Sequence, residues 1–127
     1  HETYYLETQE GKNLPVPHCI RGTDGWQIRK ELDVLRKTDP IDKETFGSTD
    51  LAGELVTINE DEEIGSITLV GLCTDICVIS NAMILKAFFP DKPIIVDAAC
   101  CAGSTPEGHK NALAVMKTCQ IQIENEE

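Results

Sequence analysis

From residue 64 onward the apolar positions alternate between short β-branched runs and longer stretches with helical spacing. Residues 64–72 carry Ile67, Leu69 and Val70 and read as a buried strand broken at Gly71. Thr74 and Asp75 then supply the cap and first-turn acid of a helix over 75–89, which Pro90 stops. That helix carries a single charge, Lys86, among Val78, Ile79, Ala82, Met83, Ile84, Leu85, Ala87 and Phe88. Such a surface predicts cover on more than one side, by a sheet and by a second subunit. Ile94, Ile95 and Val96 mark a strand over 93–99, and Ser104-Thr105-Pro106-Glu107 opens a helix through Ala112, Ala114, Val115 and Met116. Residues 121–124 close with one more strand. Strands alternating with crossover helices predict a parallel sheet in a three-layer, Rossmann-like α/β fold with helices on both faces.

The first half is less regular. Tyr4, Tyr5 and Leu6 precede a polar series ending in a predicted turn at Gly11. Pro15 and Pro17 force an extended stretch that presents His18 on a stiff backbone. Gly22–Gly25 reads as a turn, and Trp26, Ile28, Leu32 and Leu35 suggest a short helix or irregular packed segment. Residues 41–47 form a β-like piece between Pro40 and Gly47, and Ser48 caps a helix through Leu51 and Leu55. Residues 60–63 read as a loop. The chain is expected to be one domain over 1–127 whose sheet lacks its first strands.

Composition narrows the function classes. The formal net charge of −11, with acid at 60–63 and 124–127, disfavours nucleic acid and anionic membrane surfaces as partners. No apolar run reaches membrane-span length. Four of the six cysteines (Cys73, Cys77, Cys100, Cys101) fall at predicted strand ends or a helix start, so a reduced, cytoplasmic protein is expected rather than a disulfide framework.

Cys77 is the leading chemical candidate. It lies in the first turn of a helix directly after a buried strand, where backbone N–H groups and the helix dipole favour a thiolate and could hold an oxyanion. A small buried hydrophobe is the equal alternative. Lys43, at the end of a β-like piece, could orient a thiolate or developing charge; a plain surface lysine is the simpler account. His1 and His18 are natural ligands for a divalent metal, or two unrelated loop histidines. Cys73, Cys77, Cys100 and Cys101 as a zinc site match no common ligand spacing.

Together these segments resemble the isochorismatase-like cysteine hydrolases, and among them the nicotinamidases. Gly71-Leu72-Cys73-Thr74-Asp75-Ile76-Cys77-Val78 resembles the family's nucleophile motif. The resemblance implies Cys77 as nucleophile, a cis peptide before Cys73, and an oxyanion hole made by the N–H groups of Cys73 and Cys77. The 42–51 segment resembles the family's lysine segment and implies Lys43 as the catalytic lysine. Pro17-His18-Cys19-Ile20-Arg21-Gly22-Thr23 resembles the metal-loop motif, implying His18 and, seventeen residues earlier, His1 as ligands to zinc, iron or manganese. Asp97 and the 104–107 helix start fit the family's second half.

Nothing before residue 18 matches the family's catalytic Asp or its metal-binding Asp. The resemblance therefore implies a chain that starts after the first two strands and first helix, short by roughly 50 residues against a domain of ordinary size. The aromatic residue that nicotinamidases place just before the metal-loop histidine is also absent, with Trp26 or Phe46 as possible substitutes in a substrate pocket, although core positions suit both. The implied function is release of ammonia from a small amide such as nicotinamide through a thioester, by a homo-oligomer. Hydrolysis of another small amide or of an isochorismate-type vinyl ether, or an inactive dimerisation or binding relative, are the alternatives.

Overall fold

Three parallel strands in the order β1-β2-β3 carry the second part of the chain: β1 (Ile67–Leu72), β2 (Ile94–Ala102) and β3 (Gln122–Glu124). The computed structural model describes residues 1–126. Among them are helices α1 (Gln9–Asn13), α2 (Lys30–Asp33), α3 (Thr49–Asp61), α4 (Ile79–Phe88) and α5 (Pro106–Thr118). The chain divides into two compact units, His1–Thr45 and Phe46–Glu127.

In the second unit, α4 links β1 to β2 and α5 links β2 to β3, as parallel neighbours require. Alternation along β2 buries Ile94, Val96 and Ala98, which cluster with Val78, Ala82 and Leu85 and with Ala112, Leu113 and Met116 of α5. Phe89 and Ile121 close the same core. Complete burial of a side chain the size of Leu113 or Met116 contributes about 1.5–3 kcal/mol each. On the alternate positions of β1, Val70 and Leu72 remain exposed.

Ser48 caps α3 by accepting the Leu51 N–H at 3.1 Å, and Thr105 caps α5 by accepting the Gly108 N–H at 2.9 Å, with Pro106 in the first turn. Both starts follow the sequence pattern. The β1–β2 register runs Ile67↔Ile94 to Leu69↔Val96 and then slips to Gly71↔Cys101, so β2 bulges between them and continues beyond the predicted 99 to Ala102. Gly71 meets the slip with φ +122°, a conformation that L side chains rarely adopt.

Several expectations are corrected. The predicted helix over 75–89 begins instead as a π-helical turn, Thr74–Val78, before α4. Thr74 does not cap it, because its hydroxyl is fully buried against His109. Residues 60–63 are not all loop, since Glu60 and Asp61 complete α3.

In the first unit the predicted turn at Gly11 is α1, which Thr8 caps by accepting the Gly11 N–H at 3.0 Å. Residues 41–47 contain no strand: the alternation there finds no neighbouring strand to pair with. The 26–35 segment is a 3₁₀ turn, Asp24–Trp26, followed by the four-residue α2, and Ile28, Leu32 and Leu35 are exposed rather than packed. A helix of one turn has no face long enough to bury three side chains. Phe46, suited by sequence to the core, is also exposed.

Candidate functional site

The carboxyl end of β1 leads through a cis Leu72–Cys73 peptide into the turn that holds Cys77. This is the cis position implied by the sequence resemblance. The N–H groups of Ile76 and Val78 both donate to the Cys73 carbonyl, at 3.1 and 3.0 Å, and the second spans five residues. Such widened turns recur at functional sites. Cys77 is half-buried. Its carbonyl accepts from Asn81 Nδ2 at 2.9 Å; the same amide nitrogen donates to the Phe46 carbonyl at 3.2 Å, and Asn81 Oδ1 accepts the Ser48 N–H at 2.9 Å. Asn81 therefore fastens the turn to residues 46–48.

On its other side the turn is tied to the start of α5. The Ser104 N–H donates to Asp75 Oδ1 at 2.8 Å and the Ser104 hydroxyl donates to Asp75 Oδ2. These two hydrogen bonds, joined by attraction from His109, hold the Asp75 carboxyl below the usual carboxylate range. Thr74 Oγ1 lies 2.7 Å from His109 Nδ1, the donor being set by the imidazole tautomer. Asp75, read from the sequence only as a first-turn acid, and Thr74, read as a cap, thus serve tertiary contacts.

The cysteines do not assemble a metal site. All six are outside disulfides, and among the described residues the only group of three or more side chains placed to hold a metal is His1, Glu10 and His18. Burial, Asp75 and Cys77 push the Cys73 thiol up, and burial does the same to Cys101. Both shifts favour the protonated thiol over a thiolate ligand.

The histidines are brought together as the sequence implied. His1 Nε2 and His18 Nε2 lie 3.2 Å apart, and His1 Nε2 lies 3.3 Å from Glu10 Oε1. His18 Nδ1 donates to the Val16 carbonyl at 2.7 Å, which leaves the Nε2 lone pair directed into the cluster. Tyr5, 2% exposed, packs its ring against both imidazoles, with centroids 4.4 and 5.2 Å away, and anchors its hydroxyl on the Leu14 carbonyl at 2.9 Å. Two imidazoles and a carboxylate within 4.8 Å of one another fit a divalent cation such as zinc with a position left for substrate or water. Glu10 escaped the sequence reading, which sought an acid before His1. The available signal was a glutamate between the two histidines.

Lys43 belongs to the first unit, where it is exposed and its Nζ donates to the Thr45 carbonyl at 3.0 Å. Its neighbour Asp42 accepts from Arg21 at 2.9 Å; Arg21 also donates to Glu2 at 2.6 Å and lies over the Trp26 ring at 5.2 Å. Trp26 is thus occupied by Arg21. Cys77 and Phe46 belong to the second unit.

Known proteins carry the same arrangement of elements. The profile of the isochorismatase domain matches residues 1–127. An uncharacterized isochorismatase family protein, PncA, of Bacillus subtilis (strain 168) is 30% identical over 123 residues, covering 89% of this chain and 62% of the relative. The crystal structure of nicotinamidase/pyrazinamidase PncA from Bacillus subtilis superposes with a TM-score of 0.71 at 28% identity, covering 89% of this chain and 64% of that one. The nicotinamidase SaPncA from Staphylococcus aureus gives 0.60 at 29% identity, covering 83% and 65%. The pyrazinamidase of Pyrococcus horikoshii, solved in complex with zinc, shares the fold with a TM-score of 0.67 at 21% identity, covering 97% and 69%. The chain spans 62–65% of the length of the first three of these proteins. With the isochorismatase domain matching residues 1–127 and the fold shared with the solved structures above, this protein belongs to the isochorismatase family.

Proposed function

We propose that this chain carries the nucleophile of a cysteine-dependent amidohydrolase acting on a small amide such as nicotinamide or pyrazinamide. The observation that bears most weight is Cys77 in the first turn after the parallel strand β1, the carboxyl-end position at which sheets of this class do chemistry. In the proposed reaction the Cys77 thiolate attacks the amide carbonyl and the N–H groups of Cys73 and Cys77 hold the tetrahedral oxyanion. The C–N bond breaks, the leaving nitrogen takes up the proton given up by the Cys77 thiol and departs as ammonia, and water cleaves the thioester to the acid and the thiol. Lys43 is assigned to steady the negative charge around the nucleophile. The family's proton-accepting Asp has no match among the residues of this sequence, so the proton acceptor is left unassigned.

His1, Glu10 and His18 would hold a divalent cation, which supplies a Lewis-acid contact that orients the substrate. Residues 14–17 carry no aromatic side chain beside His18, which favours a sister amide over nicotinamide as the second reading. The histidine pair weighs against a vinyl ether.

Ammonia release from nicotinamide, pyrazinamide and a panel of small amides, measured on the wild-type protein and on Cys77→Ala, tests the reading. Turnover by the wild type that falls to background in the variant is the expected result. Measurable turnover by Cys77→Ala rejects the assignment, and turnover restricted to another amide selects the second reading. Self-association belongs to the same proposal, and sedimentation as a monomer at assay concentration would remove it.

A further inference from the structure

We infer that His109 is a positioning residue for the Cys77 turn, acting through the buried hydroxyl of Thr74. Thr74 is 0% exposed and opens the π-helical turn in which Cys77 is the fourth residue. A hydroxyl so placed requires a partner inside the protein, and His109 Nδ1 at 2.7 Å provides it. His109 stands in the first turn of α5, whose N–H at that residue returns to the Thr105 carbonyl at 3.0 Å, so the ring is carried by a capped helix rather than by a loop. His109 also lines a cavity of about 350 Å³ with Ala98, Ala99, Lys110 and Leu113.

The tie is reinforced by its neighbour. Asp75, next along the turn, receives both the N–H and the hydroxyl of Ser104, five residues before His109. Two consecutive residues of the turn are thus pinned to two ends of the same helix start. Loss of the Thr74–His109 bond leaves Asp75 as the turn's tie to the start of α5, with Asn81 holding its far side, and lets the Thr74 end shift, displacing the sulfur from its attack geometry. His109 itself makes no contact with reacting atoms in this account. The inference rests on the proposed reading of Cys77 as nucleophile.

The test compares Thr74→Val, Thr74→Ser, His109→Gln and His109→Asn by two readouts: kcat and KM for the amide turned over by the wild type, and the rate of Cys77 alkylation by iodoacetamide, followed by peptide mass spectrometry. Asparagine places a polar atom near the Nδ1 position and glutamine near Nε2, so the two isolate the bond from the bulk of the ring. Thr74→Val and His109→Gln are expected to lose roughly tenfold or more in kcat and in alkylation rate with KM little changed. Thr74→Ser and His109→Asn are expected to recover most of both. Wild-type rates in Thr74→Val and His109→Gln overturn the inference, as does a His109→Asn that falls as far as His109→Gln. Thermal melts establish folding, and if Thr74→Val fails to fold the two His109 variants decide alone. A wild type that releases no ammonia rejects the proposed reaction, while the alkylation ratios still decide the positioning role.

Discussion

Gly108 makes room for the Asp75 carboxylate: a Cβ built on it would stand 2.2 Å from Asp75 Oδ2. Any side chain there collides with a group that is already hydrogen-bonded to Ser104. Gly108→Ala is therefore expected to push Asp75 off Ser104 and to cost about 1–3 kcal/mol, even though alanine is the better helix former. Urea unfolding measures this. An alanine variant as stable as the wild type would show that the turn yields without loss.

The same carboxylate predicts an acid sensitivity. Its pKa is lowered in the folded state by the two Ser104 hydrogen bonds, so the stability it contributes is complete above the unfolded value of about 3.9 and disappears as pH falls through the lowered folded value. Ser104→Ala is expected to lower Tm at pH 7 by roughly 3–6 °C and to flatten the decline of Tm below about pH 4. Parallel Tm curves for variant and wild type from pH 2 to 7 would contradict this.

Metal affinity should identify Glu10 as a ligand. Glu10→Gln and His18→Ala are each expected to weaken zinc binding by about tenfold or more, read by competition with a chromogenic chelator. Wild-type affinity in Glu10→Gln would remove the carboxylate from the donor set.

Thiol reactivity should follow burial. At pH 7.5 Cys73 and Cys101, half-buried and pushed up, are expected to alkylate more slowly than the exposed Cys19, Cys100 and Cys119. Peptide mass spectrometry over a time course ranks them, and a Cys73 as fast as Cys100 would show that the turn opens in solution.

The second half of the fold was legible because its strands and helices repeat their apolar residues with clean periods. The starts of α3 and α5 could be read from Ser48 and from Thr105-Pro106, since caps are local chemistry. Thr74 looked equally like a cap, but a buried partner 35 residues away claimed its hydroxyl, and no local pattern reveals that. Alternation over 41–47 misled for the opposite reason: a strand is a property of a pair, and none of the strands among the described residues pairs with it. The pairing of His1 with His18 could be found by motif. Glu10 could not, because it reaches them by way of α1, where the sequence suggested only a turn.

Winding the Cys77 turn at five residues instead of four also sets the phase of everything that follows it. A helix advances about 100° per residue, so deleting one residue between Cys73 and Val78 would rotate α4 by that angle relative to β1. Ala82 and Leu85 would swing away from Val96, and Asn81 would lose its reach to residues 46–48. Length changes in this protein are therefore tolerable in the 62–66 connection before β1, and closed off in the five residues after Cys73, where one added or missing residue would misalign the core and Cys77 together.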